Sequence, residues 1–170
     1  VCEAVFGVTD PITLTVVENP YEIVIDGGNG GGPSGPIEDG EYWFFNSGKV
    51  MAPLAEGTMS GALPAEDAVD GASTAKNVFT LTYDPDMSYY TIQDSYGRYL
   101  GQTDETGNIT VTDVLPTDET YGYYLWCVEP GYGEACDIYS AAYYFDLTYS
   151  AADNNWVLMD GGYEFPEILP

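Results

Sequence analysis

The strongest constraint on this fold is a hairpin that comes round twice. Tyr42-Trp43-Phe44-Phe45-Asn46-Ser47-Gly48-Lys49-Val50-Met51 and Tyr90-Thr91-Ile92-Gln93-Asp94-Ser95-Tyr96-Gly97-Arg98-Tyr99-Leu100 share one plan. In each, an aromatic strand enters a Ser/Gly turn, passes one basic residue and closes on an apolar strand. A third and weaker echo is Tyr144-Phe145-Asp146-Leu147-Thr148 leading to Trp156-Val157-Leu158-Met159. Units spaced by about 50 residues suit a β-trefoil or another small closed barrel. A β-sandwich of similar hairpins carries the same local pattern, so both architectures stay open. Either way the chain is all-β.

The remaining segments agree. Residues 78–83 alternate apolar and polar side chains, and Asp84-Pro85-Asp86 turns them into 89–93. Further strands are expected over 109–112, 121–128, 141–149 and 156–159. Residues 62–75 have some helical character, but Pro64 and Gly71 interrupt them and the stretch reads as a loop. Together, 37–170 form one β-barrel/trefoil-like or β-sandwich domain.

The start of the chain reads differently. Residues 2–8, 12–17 and 21–25 are strand-like, separated by Thr9-Asp10-Pro11 and Asn19-Pro20. So few strands do not make a stable domain alone. Residues 1–26 are therefore read as the terminal strands of a truncated immunoglobulin-like domain, or else as strands that pair with the main body. Residues 27–36, Gly-Gly-Asn-Gly-Gly-Gly-Pro-Ser-Gly-Pro, are a flexible Gly-rich linker by composition. Gly30, Gly32 and Gly35 fit the spacing of a dinucleotide loop, yet Pro33 and Pro36 leave no helix to open there.

Charge narrows the chemistry. The chain has 28 acidic side chains, three basic ones and no histidine, a formal charge of −25. Three cations cannot displace the counterions of a nucleic acid or bind an anionic bilayer, so no nucleic-acid partner is expected. Without histidine there is no Ser-His-Asp triad, no zincin helix and no His-ligated metal. The chain is nonetheless not a disordered polyanion, because 45% of its residues are apolar and can bury a core. No apolar run is long enough to span a membrane as a helix. Residues 1–10 lack the basic start of a signal peptide, so any targeting segment is expected upstream of Val1 or already removed.

Cys127 and Cys136 flank a loop punctuated by Pro130-Gly131 and Gly133. Its ends can close to disulfide distance, which predicts a Cys127–Cys136 bridge and an oxidising compartment; two buried thiols are the alternative. Cys2 reads as a buried thiol or as the partner of a residue outside the chain.

Two chemistries need weighing. Glycan and peptide ligands are gripped by exposed aromatic faces with a few polar neighbours. Candidate platforms are Tyr42, Trp43, Tyr123, Trp126 and Trp156, with Asp153, Asn154 and Asn155 beside the last. Alternate aromatics of a β-domain also fill its core, which is the competing role for each of them. Paired carboxylates for glycoside hydrolysis are inevitable in so acidic a chain and single out no pair. The G-x-S-x-G, H-E-x-x-H and P-loop motifs are missing, so no catalytic residue and no cofactor is expected. Asp84-Pro85-Asp86 and Asp104-Glu105-Thr106-Gly107-Asn108 do not match a calcium loop, and these acids read as solvated turns with no metal.

Phe79-Thr80-Leu81-Thr82-Tyr83 followed by residues 90–100 resembles a C-terminal β-domain recurring in secreted and surface lipoproteins of Bacteroides-type gut bacteria. Gly40-Glu41-Tyr42-Trp43 and Gly48-Lys49-Val50-Met51 match the same style. So does a glycine-rich linker ahead of the domain. The resemblance spans roughly 37–170, weakens after Tyr121, and departs at the Cys127–Cys136 loop, which looks like an insertion. It implies a non-enzymatic lipoprotein on the outer-membrane surface, lipid-anchored upstream of Val1. Its implied role is an accessory binding or assembly component of a Sus-like nutrient uptake system. The implied partners are an outer-membrane β-barrel transporter, its lid lipoprotein, and a glycan or peptide ligand. A pilus-like or adhesin subunit mediating cell-surface contact is the alternative.

Overall fold

A computed structural model describes residues 37–68, 75–130, 135–162 and 164–170. The chain divides into two units, Val1–Gly30 and Gly31–Pro170. The expected immunoglobulin-like strands over 1–26, the linker over 27–36 and Cys2 lie outside the described residues.

The first repeat contains β1 (Gly40–Asn46), β2 (Lys49–Met51), β3 (Ser60–Gly61), β4 (Leu63–Asp67) and β5 (Phe79–Asp84). The second contains β6 (Tyr89–Gln93), β7 (Tyr99–Gly101), β8 (Ile109–Thr112) and β9 (Trp126–Pro130). The third contains β10 (Cys136–Ser140), β11 (Asp146–Ser150), β12 (Asn155–Met159) and β13 (Glu167–Leu169).

Among the described residues all pairings are antiparallel, and six strands close a ring. β1 pairs with β5, β5 with β6, β6 with β9 and β9 with β10. The Ala135–Glu167 bridge and the Cys136 N–H to Pro166 carbonyl bond of 2.8 Å carry β10 to β13, which pairs back with β1. The leftover strands pair as β2–β4, β7–β8 and β11–β12, one hairpin per repeat. These hairpins are laced to one another by β4–β12, by β3–β8, and by the Leu158 N–H donating to the Gly107 carbonyl at 3.0 Å. A six-strand barrel with three hairpins in pseudo-threefold array is a β-trefoil. Closure rules out the sandwich, since the six barrel strands leave no open edge between two sheets.

Period-two alternation supplies the core. Phe79 and Leu81 on β5, Ile92 on β6, Trp126 and Val128 on β9, and Ile138 on β10 all point inward. Phe44 meets Phe79 edge-to-face at 5.4 Å, and Trp126 donates its indole N–H to the Leu100 carbonyl at 2.9 Å. At about 25 cal/mol per Å² of buried apolar surface, these aromatics and the Leu, Ile and Val side chains packed with them stabilise the fold together.

Five expectations need correction. Of residues 141–149, only those from Asp146 onward are strand, and 141–145 form the turn between β10 and β11. Residues 63–67 are a strand, because alternation of Leu63, Ala65 and their polar neighbours survives Pro64 at a position facing solvent. Residues 119–124 are a 3₁₀ turn, with strand structure starting only at Trp126. Asp118 starts that turn by accepting the Thr120 N–H at 3.0 Å. The third echo was matched one strand late: β10 and β11 correspond to the first two hairpins, whereas residues 144–159 cover the β11–β12 pair.

Finally, Cys127 and Cys136 are free thiols. In the β9–β10 ladder Cys127 stands opposite Tyr139, and Cys136 stands opposite Pro130. That is an offset of three positions, roughly 10 Å at 3.4 Å per residue, too far for a bridge. Cys136 also faces the core, while Cys127 faces outward and bonds Glu129 Oε1 at 3.3 Å. Alkylation of the denatured chain without reductant, followed by peptide mapping, is expected to label both residues fully.

Candidate functional site

Three segments converge where the second repeat meets the third: the exit of β7, the 3₁₀ turn Glu119–Tyr124, and the β10–β11 turn. Their meeting starts at Gly101. A Cβ there would lie 2.6 Å from the Tyr123 carbonyl and 2.5 Å from the Tyr124 ring, so only glycine lets the turn come so close. The next residue locks the contact, Gln102 donating its N–H to the Tyr123 carbonyl at 2.8 Å.

Gln102 is fully buried and acts as the hub. Its Oε1 accepts the Ser140 hydroxyl, and its Nε2 donates to the Asp104 carbonyl at 2.9 Å. Ser140 Oγ in turn accepts the Tyr143 N–H at 3.3 Å. One buried amide thus ties the β7 exit to the β10–β11 turn, with both its Oε1 and its Nε2 hydrogen-bonded.

The turn carries two consecutive tyrosines in different directions. Tyr144 has φ 60, a left-handed value that is an outlier for a bulky side chain. Tyr143 reaches back, donating its hydroxyl to the Thr103 carbonyl at 3.1 Å. Its ring lies nearly parallel to that of Tyr123, at 10° with centroids 6.0 Å apart. Tyr144 packs on Tyr139 at 6.2 Å and is 66% exposed. Thr103 touches the Tyr123–Tyr143 pair through the Tyr143 hydroxyl bond, and Asp104 and Glu105 follow it in the chain, both exposed. Partial burial, the Tyr123 hydroxyl, and the Glu105 and Asp104 charges together push the Tyr143 phenol up.

Neighbouring bonds fix this edge. Asp104 Oδ1 accepts the Thr106 N–H at 2.9 Å and the Thr106 hydroxyl, and these bonds lower its pKa. The far end of the 3₁₀ segment is held by Tyr121, whose hydroxyl donates to Asp84 Oδ2 at 2.7 Å. Burial, then the Asp84 bond and charge, push the Tyr121 phenol up to about 12. What results is a pair of half-buried tyrosine rings stacked nearly parallel beside the Thr103 carbonyl, with two exposed carboxylates next along the chain. Aromatic faces with polar neighbours suit the C–H face and hydroxyls of a sugar ring.

Of the five aromatics expected to form platforms, only Tyr123 is in this constellation. Trp126 and Trp156 are fully buried and offer no face to a ligand, because both lie on the inward side of their strands. Tyr42 packs against the core and donates its hydroxyl to the Glu38 carbonyl at 2.8 Å. Trp43 is half-buried on the other side of β1, in register with Leu169. Near Trp156, Asp153 accepts the Ser150 hydroxyl and Asn154 accepts that of Tyr149, so these residues stabilise their turn. Tyr143, Gln102 and Thr103 are not singled out by the sequence, where Asp104 reads only as a solvated turn acid; aligning β10 rather than β11 with the first two hairpins points to Tyr143.

The chain's three cations are all engaged elsewhere. Lys49 pairs with Asp67, Lys76 with Glu66 at 2.6 Å, and Arg98 with Asp94 at 2.8 Å.

No protein-family model and no curated protein matches the sequence. Solved structures do match in fold. A mosquitocidal holotoxin superposes with a TM-score of 0.61 at 20% identity over 79% of this chain, which spans 16% of that toxin. SeviL bound to asialo-GM1 saccharide gives 0.58 at 14% identity over 78% of this chain and 98% of its own. A salivary protein of the cysteine- and tryptophan-rich family from Culex quinquefasciatus gives 0.57 at 18% identity, over 79% and 95% of the two chains. At these identities the likeness is one of fold, and that fold is the all-β trefoil traced above.

Proposed function

We propose that the trefoil unit is a non-enzymatic saccharide-binding module whose contact surface is the Tyr123–Tyr143 pair with its Thr103, Asp104 and Glu105 rim. The observation that carries this reading is the parallel tyrosine pair, positioned by a buried hydrogen-bonded hub rather than packed into the core. The saccharide held by SeviL, a protein of the same fold, supports it. In the setting that the lipoprotein resemblance implies, such a module serves as an accessory component beside an outer-membrane transporter and its lid lipoprotein.

A glycan array of the full chain, followed by Tyr123→Ala and Tyr143→Ala, tests the reading. Each substitution is expected to weaken the strongest array ligand roughly tenfold, about 1.4 kcal/mol, with circular dichroism unchanged. Unaltered affinity in both variants would move the site elsewhere.

A further inference from the structure

Resting on the saccharide reading, we propose that the Tyr123–Tyr143 site selects by charge: it takes amino sugars bearing a free ammonium group and rejects sugars carrying carboxylate or sulfate. Asp104 and Glu105 are both exposed, directly after Thr103, whose carbonyl anchors the Tyr143 hydroxyl. Asp104 is held in place by two bonds from Thr106. No counter-charge is at hand for an anion, because each of the chain's three basic side chains is already paired with its own carboxylate.

An ammonium on a sugar lying against the tyrosines meets two favourable partners at once, the carboxylates and the negative ring face. The protein uses the same combination internally. Arg98 bonds Asp94 at 2.8 Å while its guanidinium lies 5.0 Å from the centre of the Tyr96 ring. A carboxylate or sulfate on the sugar would instead face Asp104 and Glu105 with nothing to neutralise it. The overall charge of −25 acts in the same direction. It is screened beyond a Debye length of about 8 Å at physiological salt, so the two rim acids dominate there.

Isothermal titration of the full chain with a glucosamine tetramer and an N-acetylglucosamine tetramer separates charge from shape. The amine form is expected to bind roughly tenfold tighter at low salt, with the gap narrowing to about threefold or less near 0.5 M salt. D104N/E105Q is expected to close the gap, and the salt titration of the unaltered chain gives the same information should that variant fold poorly. Equal or tighter binding of the acetylated form overturns the proposal, as does a gap that survives D104N/E105Q. Tetralysine binding as tightly as the glucosamine tetramer also overturns it, since charge alone would then be read. Binding of other array sugars but of neither tetramer overturns this proposal alone. Binding of no sugar overturns the saccharide reading beneath it.

Discussion

Replacing Arg98 by alanine is expected to destabilise the trefoil by about 3–5 kcal/mol, lowering its melting temperature by roughly 10 °C. The side chains of Arg98 and Asp94 are 7% and 0% exposed, so the pair lies almost wholly out of water. Removing one member leaves an uncompensated buried charge, which costs far more than a surface ion pair is worth. The loss does not stop at the pair. Arg98 also donates to the carbonyls of Leu54 at 2.6 Å, Thr58 at 3.2 Å and Ala55 at 3.4 Å. A single guanidinium therefore pins the loop between β2 and β3 onto the β6–β7 turn. Asp94 meanwhile caps that turn by accepting the backbone N–H groups of Tyr96 and Arg98. Arg98→Lys should recover part of the loss, because it keeps the charge without the planar fork. Urea unfolding of the three proteins measures this, and a cost below about 1 kcal/mol for Arg98→Ala would contradict a structural role for the cluster.

Gly101→Ala is expected to damage both stability and binding. Its new methyl group would sit 2.5 Å from the Tyr124 ring and 2.6 Å from the Tyr123 carbonyl. A ring can swing aside, but the carbonyl is backbone, so the 3₁₀ turn itself must move. Overpacking of this kind costs about 1–3 kcal/mol. Moving Tyr123 away from Tyr143 should also weaken the saccharide by roughly tenfold or more. Gly122→Ala is the matched control: nothing lies within 4 Å of a Cβ at that position. Parallel thermal melts and titrations compare the two variants, and indistinguishable behaviour would show that the close approach at Gly101 does not set the platform.

The barrel was legible in the sequence because period-two alternation and turn residues are local signals. Residues 79–84 and 89–93 came out as strands within a residue of where they lie. Closure was legible only as a preference, through the recurrence of the hairpin. The short strands β3 and β13 escaped, since two or three residues carry no period, and what makes them strands is the partner each finds in β8 and β1. The candidate site was much less legible. Tyr123 was picked out, but its partner Tyr143 comes from a turn twenty residues away in sequence, brought close by β9–β10 pairing and by Gln102. Trp126 and Trp156 misled because exposure of an aromatic depends on which face of the strand it occupies. The same reasoning explains the cysteines: a turn loop can bring chain ends together, yet register decides which side chains meet.

The most direct test of the account is a titration of ¹⁵N-labelled full chain with the strongest array ligand, followed by amide chemical shifts. The account predicts the largest shifts at Gln102, Thr103, Asp104, Tyr123 and Tyr143, with the β1–β2 and β6–β7 turns unmoved. Shifts centred on either of those turns, with the Tyr123–Tyr143 region silent, would contradict it.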